Sequence, residues 1–237
     1  MSQQAPRFWA IIPAAGIGKR MGNSIPKQYL KLLDKTVIEH TLHCLSTHPR
    51  INGIVIAIAK DDPHWPKLPL LLNKKLLVTH GGVERCHSVL NALHHLAEHA
   101  NPNDWVLVHD AVRPCLRHAD IDLLIDTLQH HPIGGLLGVP VADTIKRTNA
   151  MGDVLATIDR SHLWRALTPQ MFRLKMLTNA LENAIQHQAI VTDEAAAIER
   201  LGHAPQMVTG HADNIKITHP QDIALAELLL QRQRSHR

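Results

Sequence analysis

The stretch PAAGIGKRMGNSIPKQYL, from Pro13 to Leu30, sets Lys19, Arg20 and Lys27 within nine residues, close behind Gly16 and Gly18. It follows the apolar run FWAII. Glycines at a strand end let a ligand approach the main chain, and lysine and arginine neutralise phosphate. Two standard phosphate loops do not fit. A P-loop requires G-x-x-x-x-G-K-[ST], whereas Lys19 is followed by Arg20. A dinucleotide fingerprint requires G-x-G-x-x-G, whereas Gly16, Gly18 and Gly22 are spaced one residue too wide, and Pro26 stops the helix that should follow. What remains is a loop that admits a nucleotide at the backbone of Ala14, Ala15 and Gly16. Lys19, Arg20 and Lys27 then surround a triphosphate.

The elements that must hold this loop are legible as alternating patterns. FWAIIP, INGIVIAIA, KKLLVTHGG, DWVLVHDA and GGLLGVPV read as strands. INGIVIAIA is nearly continuous in apolar residues, as a strand buried on both sides must be. Between them lie helix-period segments, with Ile38, Leu42 and Leu45 on one face, then Val89, Leu93, Leu96 and Ala97, then Ile121, Leu124, Ile125 and Leu128. This alternation specifies an α/β fold with a doubly wound, mainly parallel, Rossmann-like sheet. Ligands bind such sheets beyond the carboxyl ends of the strands. The glycine loop, THGG and HDAVRP all follow strands.

After Val141 the pattern changes. ADTIKRTNAMGDVLATIDRSHLWRALTPQ carries two β-like stretches around NAMGD and reads as a hairpin arm projecting from the sheet, spanning 142–169. Its weak apolar alternation calls for a partner surface. RLKMLTNALENAIQH resumes a helix, and TDEAAAIERLG is a short one with Thr192 as its N-cap. APQMVTG and NIKIT read as short strands, and PQDIALAELLLQRQR as a closing helix begun by Pro220. No repeat or linker divides the chain, so 1–237 is expected to be one domain.

Composition narrows the classes. Of 237 residues, 45% are hydrophobic and 3% aromatic, so the core is aliphatic. The net charge of +4 comes with no basic tract interleaved with aromatics, which argues against nucleic acid. Cys44, Cys86 and Cys115 lie far apart, which suggests a reducing compartment and no disulfide framework. No apolar run is long enough for a bilayer, and MSQQAPRFWAII is too short in apolar residues for a signal peptide, so a cytoplasmic protein is expected. His95 and His99 have metal-ligand spacing on a helix, yet lack the carboxylate of H-E-x-x-H, and read as a solvated face.

Taken together, PAAGxGxRM…PKQYL, GGVERxxSV, VHDAVRP, DTIKR, LWRALTPQ, TDEAAA and ADNIKIT resemble, in order and spacing, the 2-C-methyl-D-erythritol 4-phosphate cytidylyltransferase family. The resemblance runs from about Ile11 to Leu230 and implies the nucleotide-diphospho-sugar transferase type of fold. It implies transfer of CMP from CTP to methylerythritol phosphate, with magnesium and loss of pyrophosphate, in non-mevalonate isoprenoid synthesis. Two polyanions meet in that reaction, and no covalent enzyme intermediate is needed. The protein's work is then positioning and charge neutralisation.

The resemblance also implies roles. Arg20 and Lys27 stabilise the α-phosphate in the transition state, and Lys19 touches the outer phosphates. Ala14, Ala15, Gly16 and Gly18 line the nucleotide. Gly82 and Ser88 meet the cytosine, with Arg85 nearby. Val83 replaces a frequently acidic residue, which leaves only a main-chain contact at that position. Asp110 and Ala111 belong to the nucleotide side. Asp110 holds magnesium directly or through water, or else caps the turn before Pro114. Asp213 is a second metal candidate. Arg113, Thr144, Arg160, Thr168, Thr192 and Lys216 match polyol-phosphate contacts, with Arg160 and Lys216 fixing the attacking phosphate. Arg160 sits on the arm, which crosses to a second subunit in a homodimer. Two other readings stay open: a cytidylyltransferase for another polyol phosphate such as ribitol phosphate, and a non-catalytic nucleotide-binding module.

Overall fold

The computed structural model of the chain describes residues 6–16, 25–70 and 72–235. Its strands are Phe8–Pro13 (β1), Lys31–Leu32 (β2), Lys35–Thr36 (β3), Ile51–Ile58 (β4), Lys75–His80 (β5), Trp105–Val108 (β6), Gly134–Pro140 (β7), Ile145–Thr148 (β8), Val154–Ile158 (β9), Trp164–Arg173 (β10) and Gln206–Thr209 (β11). Its helices are Val37–Thr47 (α1), Arg85–Ala97 (α2), His118–Leu128 (α3), Leu174–Gln186 (α4), Glu194–Arg200 (α5) and Gln221–Ser235 (α6).

Seven strands form one sheet in the order β11-β7-β10-β6-β1-β4-β5. All neighbours run parallel except β10, which is antiparallel to both β6 and β7. Strands β1, β4 and β6 lie at the centre because they are apolar on both faces. Every residue of β6 is buried, and only Asn52 of β4 is exposed. Helices α1 and α3 cover one face, where Ile38, Leu42, Leu45, Ile121 and Leu124 pack with Ile12, Ile54 and Leu107. Helices α2, α4 and α5 cover the other, where Val89, Leu93, Leu177 and Ile198 meet Ile11, Val55 and Val106. Helix α6 closes a third, smaller cluster through Ala226 and Leu230 against Leu32, Val37 and Ile217. Thr36 and Glu39 form a capping box that fixes the start of α1, with the Thr36 N–H donating to Glu39 Oε2 at 2.7 Å.

Strand order reverses beside β1. The chain goes from β1 to β4 and β5 on one side, then returns to β6 on the other. A crevice therefore opens over the carboxyl ends of β1 and β6, as topology requires.

The hairpin consists of β8 and β9. Its turn is organised by Asn149, whose Oδ1 accepts from the N–H groups of Met151 and Asp153, and by Gly152 at φ +91°. From Trp164 the chain rejoins the central sheet as β10.

Two local expectations are corrected. Asn214–Thr218 is not a strand. Its main chain instead bonds to loops and side chains: Ile217 N–H donates to Val112 O at 2.9 Å, and Asn214 O accepts from Arg113 Nη1 at 2.7 Å. The cap of α5 is Asp193 rather than Thr192, because the Asp193 carboxylate accepts from Ala196 N–H at 3.0 Å.

Candidate active site

The ends of β1, β5 and β6 open into one cavity of about 700 Å³. Ala14, Ala15 and Gly16 line it after β1, Gly82 between β5 and α2, Arg85 and Ser88 on the first turn of α2, and Asp110 and Ala111 after β6. Lys27 and Lys216 supply ammonium groups from opposite ends of the sequence. Lys27 Nζ donates to Ile217 O at 3.1 Å, which ties it to the segment carrying Lys216.

The loop after β1 is held by a residue that the sequence reading passed over. Gln28 is 4% exposed, and its Nε2 donates to Ala14 O at 2.9 Å and Gly16 O at 3.1 Å. Gly81 fixes the opposite wall. A Cβ there would collide with Ala15 Cβ and Ser88 Oγ, so only glycine lets the two loops approach. Next to it, Gly82 N–H donates to Ser88 Oγ at 3.1 Å.

A chain of alternating charges forms the floor. Glu194, 1% exposed at its side chain, accepts both Arg85 Nη1 at 2.6 Å and Arg85 Nη2 at 3.1 Å. Arg85 Nε donates to Asp110 Oδ1 at 3.0 Å. Asp110 Oδ2 takes Lys216 Nζ at 2.9 Å and Arg113 Nε at 3.4 Å. Three cations against two carboxylates leave positive charge over, and Lys216 delivers it to the cleft. Burial works against ionising Asp110, but Arg85, Lys216 and Arg113 outweigh it and hold the carboxyl far below its usual range. Burial likewise opposes the Arg85 charge, and Glu194 and Asp110 more than restore it.

Behind Asp110 lies a neutral brace. Burial lowers His109 to about 4. Arg113 O can only accept, so His109 Nε2 carries the proton toward it at 3.1 Å. Nδ1 then accepts from Thr168 Oγ1 at 2.9 Å, and Thr168 Oγ1 in turn accepts from Asp110 N–H at 3.2 Å. Asn214 Nδ2 completes the brace on Thr168 O at 2.6 Å.

The cleft thus gathers Ala14, Ala15, Gly16, Lys27, Gly82, Ser88, Asp110, Ala111 and Lys216. Arg113 and Thr168 are buried behind it and engaged by protein groups. Thr144 and Thr192 are exposed and do not line it. Arg160 lies beyond the hairpin, where its Nη1 donates to Ala142 O at 2.5 Å. Gly18, Lys19 and Arg20 fall outside the described residues. Glu194 and Asn214 were missed as well. The acid in TDEA reads as an ordinary helix start, and Asn214 carries no charge pattern.

As a direct magnesium ligand Asp110 fits poorly. A dication there would stand beside Lys216, Arg85 and Arg113 on the same carboxylate. Asp213 is ion-paired with Arg117 and does not line the cleft. Among the described residues no helix is long and apolar enough to cross a membrane.

Comparison with known proteins bears on this geometry. The family model for 2-C-methyl-D-erythritol 4-phosphate cytidylyltransferase matches residues 8–232. The protein of that name from Hahella chejuensis is 52% identical over 231 residues, covering 98% of this chain and 96% of its own. That from Pseudomonas savastanoi pv. phaseolicola is 52% identical over 224 residues, covering 94% and 95%. Among solved structures, a 4-diphosphocytidyl-2C-methyl-D-erythritol synthase superposes with TM-score 0.82 at 38% identity, covering 96% of this chain and 100% of that one. The Francisella tularensis cytidylyltransferase gives TM-score 0.81 at 36% identity, covering 94% and 99%.

Proposed function

The chain belongs to the 2-C-methyl-D-erythritol 4-phosphate cytidylyltransferase family and is a nucleotidyltransferase, and from that premise we propose how its cleft performs the transfer. The reaction joins CMP from CTP to 2-C-methyl-D-erythritol 4-phosphate, releases pyrophosphate and serves isoprenoid synthesis. The polyol phosphate attacks the α-phosphorus directly, in line with the departing pyrophosphate.

CTP lies over Ala14, Ala15 and Gly16. The N–H of Gly82 is already committed to Ser88, so the base contact falls to the Gly82 carbonyl, which can accept from the cytosine amino group. Lys27 faces the charge that builds on the α-phosphate, and Arg20 shares that task. A charge-stabilising contact of this kind is worth about 3 kcal/mol in the transition state. Lys216 receives the attacking phosphate. The divalent cation that this reading calls for, magnesium, arrives on the triphosphate rather than on Asp110 or Asp213.

One domain carries the reaction, and its dimerisation arm is 142–163 rather than the expected 142–169, because 164–169 belong to β10 of the central sheet. Met151, Val154 and Leu155 are exposed at 88%, 61% and 62%, an apolar surface that a second copy would cover. Arg160 then completes the partner subunit's site, and Thr144 and Thr192 contact the polyol phosphate. Three free cysteines, Cys44, Cys86 and Cys115, suit the cytoplasm.

The observation that carries this reading is the placement of Lys27 and Lys216 in one cleft with the Ala14–Gly16 backbone. Pyrophosphate release with CTP held constant across a panel of polyol phosphates tests it. Turnover should require methylerythritol phosphate. Turnover with ribitol phosphate alone, or CTP binding without release, would overturn it.

A further inference from the structure

Glu194 touches no cleft surface, yet it is the most buried acid of the charge chain, and Lys216 is the most exposed cation. Arg85 connects them. Its two Nη groups are committed to Glu194 and its Nε to Asp110, so the guanidinium cannot rotate toward the cleft without breaking a bidentate pair. Asp110 then has one oxygen for Arg85 and the other for Lys216 and Arg113. From this geometry we infer that Glu194 is a positioning residue for the polyol-phosphate clamp. It holds Arg85 off the second oxygen of Asp110, and so keeps that oxygen for Lys216.

The physical reason lies in competition for one carboxylate. A guanidinium offers a fork that matches both oxygens of Asp110, and an ammonium offers a single point charge. With Glu194 neutralised, Arg85 turns its fork onto Asp110 and displaces Lys216. The lysine, already 40% exposed, then regains the rotamer freedom of a long side chain. Helix α5 is anchored independently. Ala195 N–H donates to Gln170 Oε1 at 2.8 Å, and Gln170 Nε2 donates to Asp193 Oδ2 at 2.9 Å. Glu194→Gln therefore changes charge without removing the support of the helix.

The inference rests on the function proposed above for Lys216, and its test separates the two. Glu194→Gln should raise KM for methylerythritol phosphate about tenfold while KM for CTP moves far less. Glu194→Asp, which keeps the charge, should recover part of the loss. In a Lys216→Gln background the same substitution should have almost no further effect. An equal loss in both backgrounds overturns the inference. Labelling of Lys216 by an amine-reactive reagent, read by peptide mass spectrometry, needs no turnover. It should accelerate several-fold in Glu194→Gln at a temperature where the variant is fully folded, with labelling of Lys175 and Lys146, which lie outside the charge chain, unchanged. Unchanged labelling overturns the inference, and faster labelling in an enzyme that does not use methylerythritol phosphate overturns only the proposed substrate.

Discussion

Replacing Asp110 by asparagine should destabilise the protein by about 3 kcal/mol at neutral pH, and the loss should shrink in acid. Removing one partner of a buried ion pair typically costs about 3 to 5 kcal/mol, because the other charge is left uncompensated. Three pairs meet on Asp110. The Lys216 pair is 40% exposed on the lysine side, so solvent screening reduces it to about 1 kcal/mol or less. The Arg85 guanidinium keeps Glu194 in the variant. Arg113, 10% exposed, loses most, although Asn214 O still accepts from it. These reductions place the total at the low end. For a chain of this size about 3 kcal/mol lowers the unfolding temperature by about 6 to 12 °C.

The pH dependence follows from the depressed Asp110 carboxyl. Its contribution is complete above the unfolded carboxyl value of about 3.9 and disappears as pH falls through the much lower folded value. Wild type and Asp110→Asn should therefore differ by about 1 kcal/mol less at pH 3 than at pH 7. Urea unfolding at both pH values measures this. An asparagine variant as stable as wild type at pH 7, or a difference independent of pH, would refute the reasoning.

Other outcomes follow from the same geometry. Gln28→Ala removes two hydrogen bonds to the Ala14–Gly16 loop and should raise KM for CTP roughly tenfold, with kcat less affected; an unchanged KM would deny the loop its role. Buried neutral His109, lowered to about 4, contributes stability that is complete above about pH 6.5 and lost as pH falls toward 4, up to about 3 kcal/mol. His109→Gln should flatten that part of the stability profile, and an unaltered profile would place the titration elsewhere. Mixed Arg160→Ala and Lys27→Ala subunits should regain activity, because one site of each heterodimer is then intact; no recovery in confirmed heterodimers would count against a shared site.

The central strands were legible because burial on both faces leaves a continuous apolar run, as in INGIVIAI. The cleft was legible because chemistry collects where those strands end. NIKIT was misread because its apolar alternation serves the Ile217 packing cluster, while its main chain bonds to Val112 and Arg113. Thr192 and Asp193 are both competent caps, and only geometry separates them. Gln28 escaped notice because an uncharged amide that braces carbonyls leaves no pattern in composition. Glu194 looked like the usual acid at a helix start, and its partner Arg85 lies 109 residues away. Thr144 and Arg160 matched the motifs, yet the single chain leaves them outside its cleft.

The proposed transfer is a direct displacement at phosphorus, in which cations over the strand ends let one phosphate strike another. The most direct measurement uses CTP with a chiral α-thiophosphate and determines the configuration of the diphosphocytidyl product. One in-line attack by the polyol phosphate predicts inversion. Retention would reveal two successive displacements through an enzyme-bound nucleotide, and would contradict it.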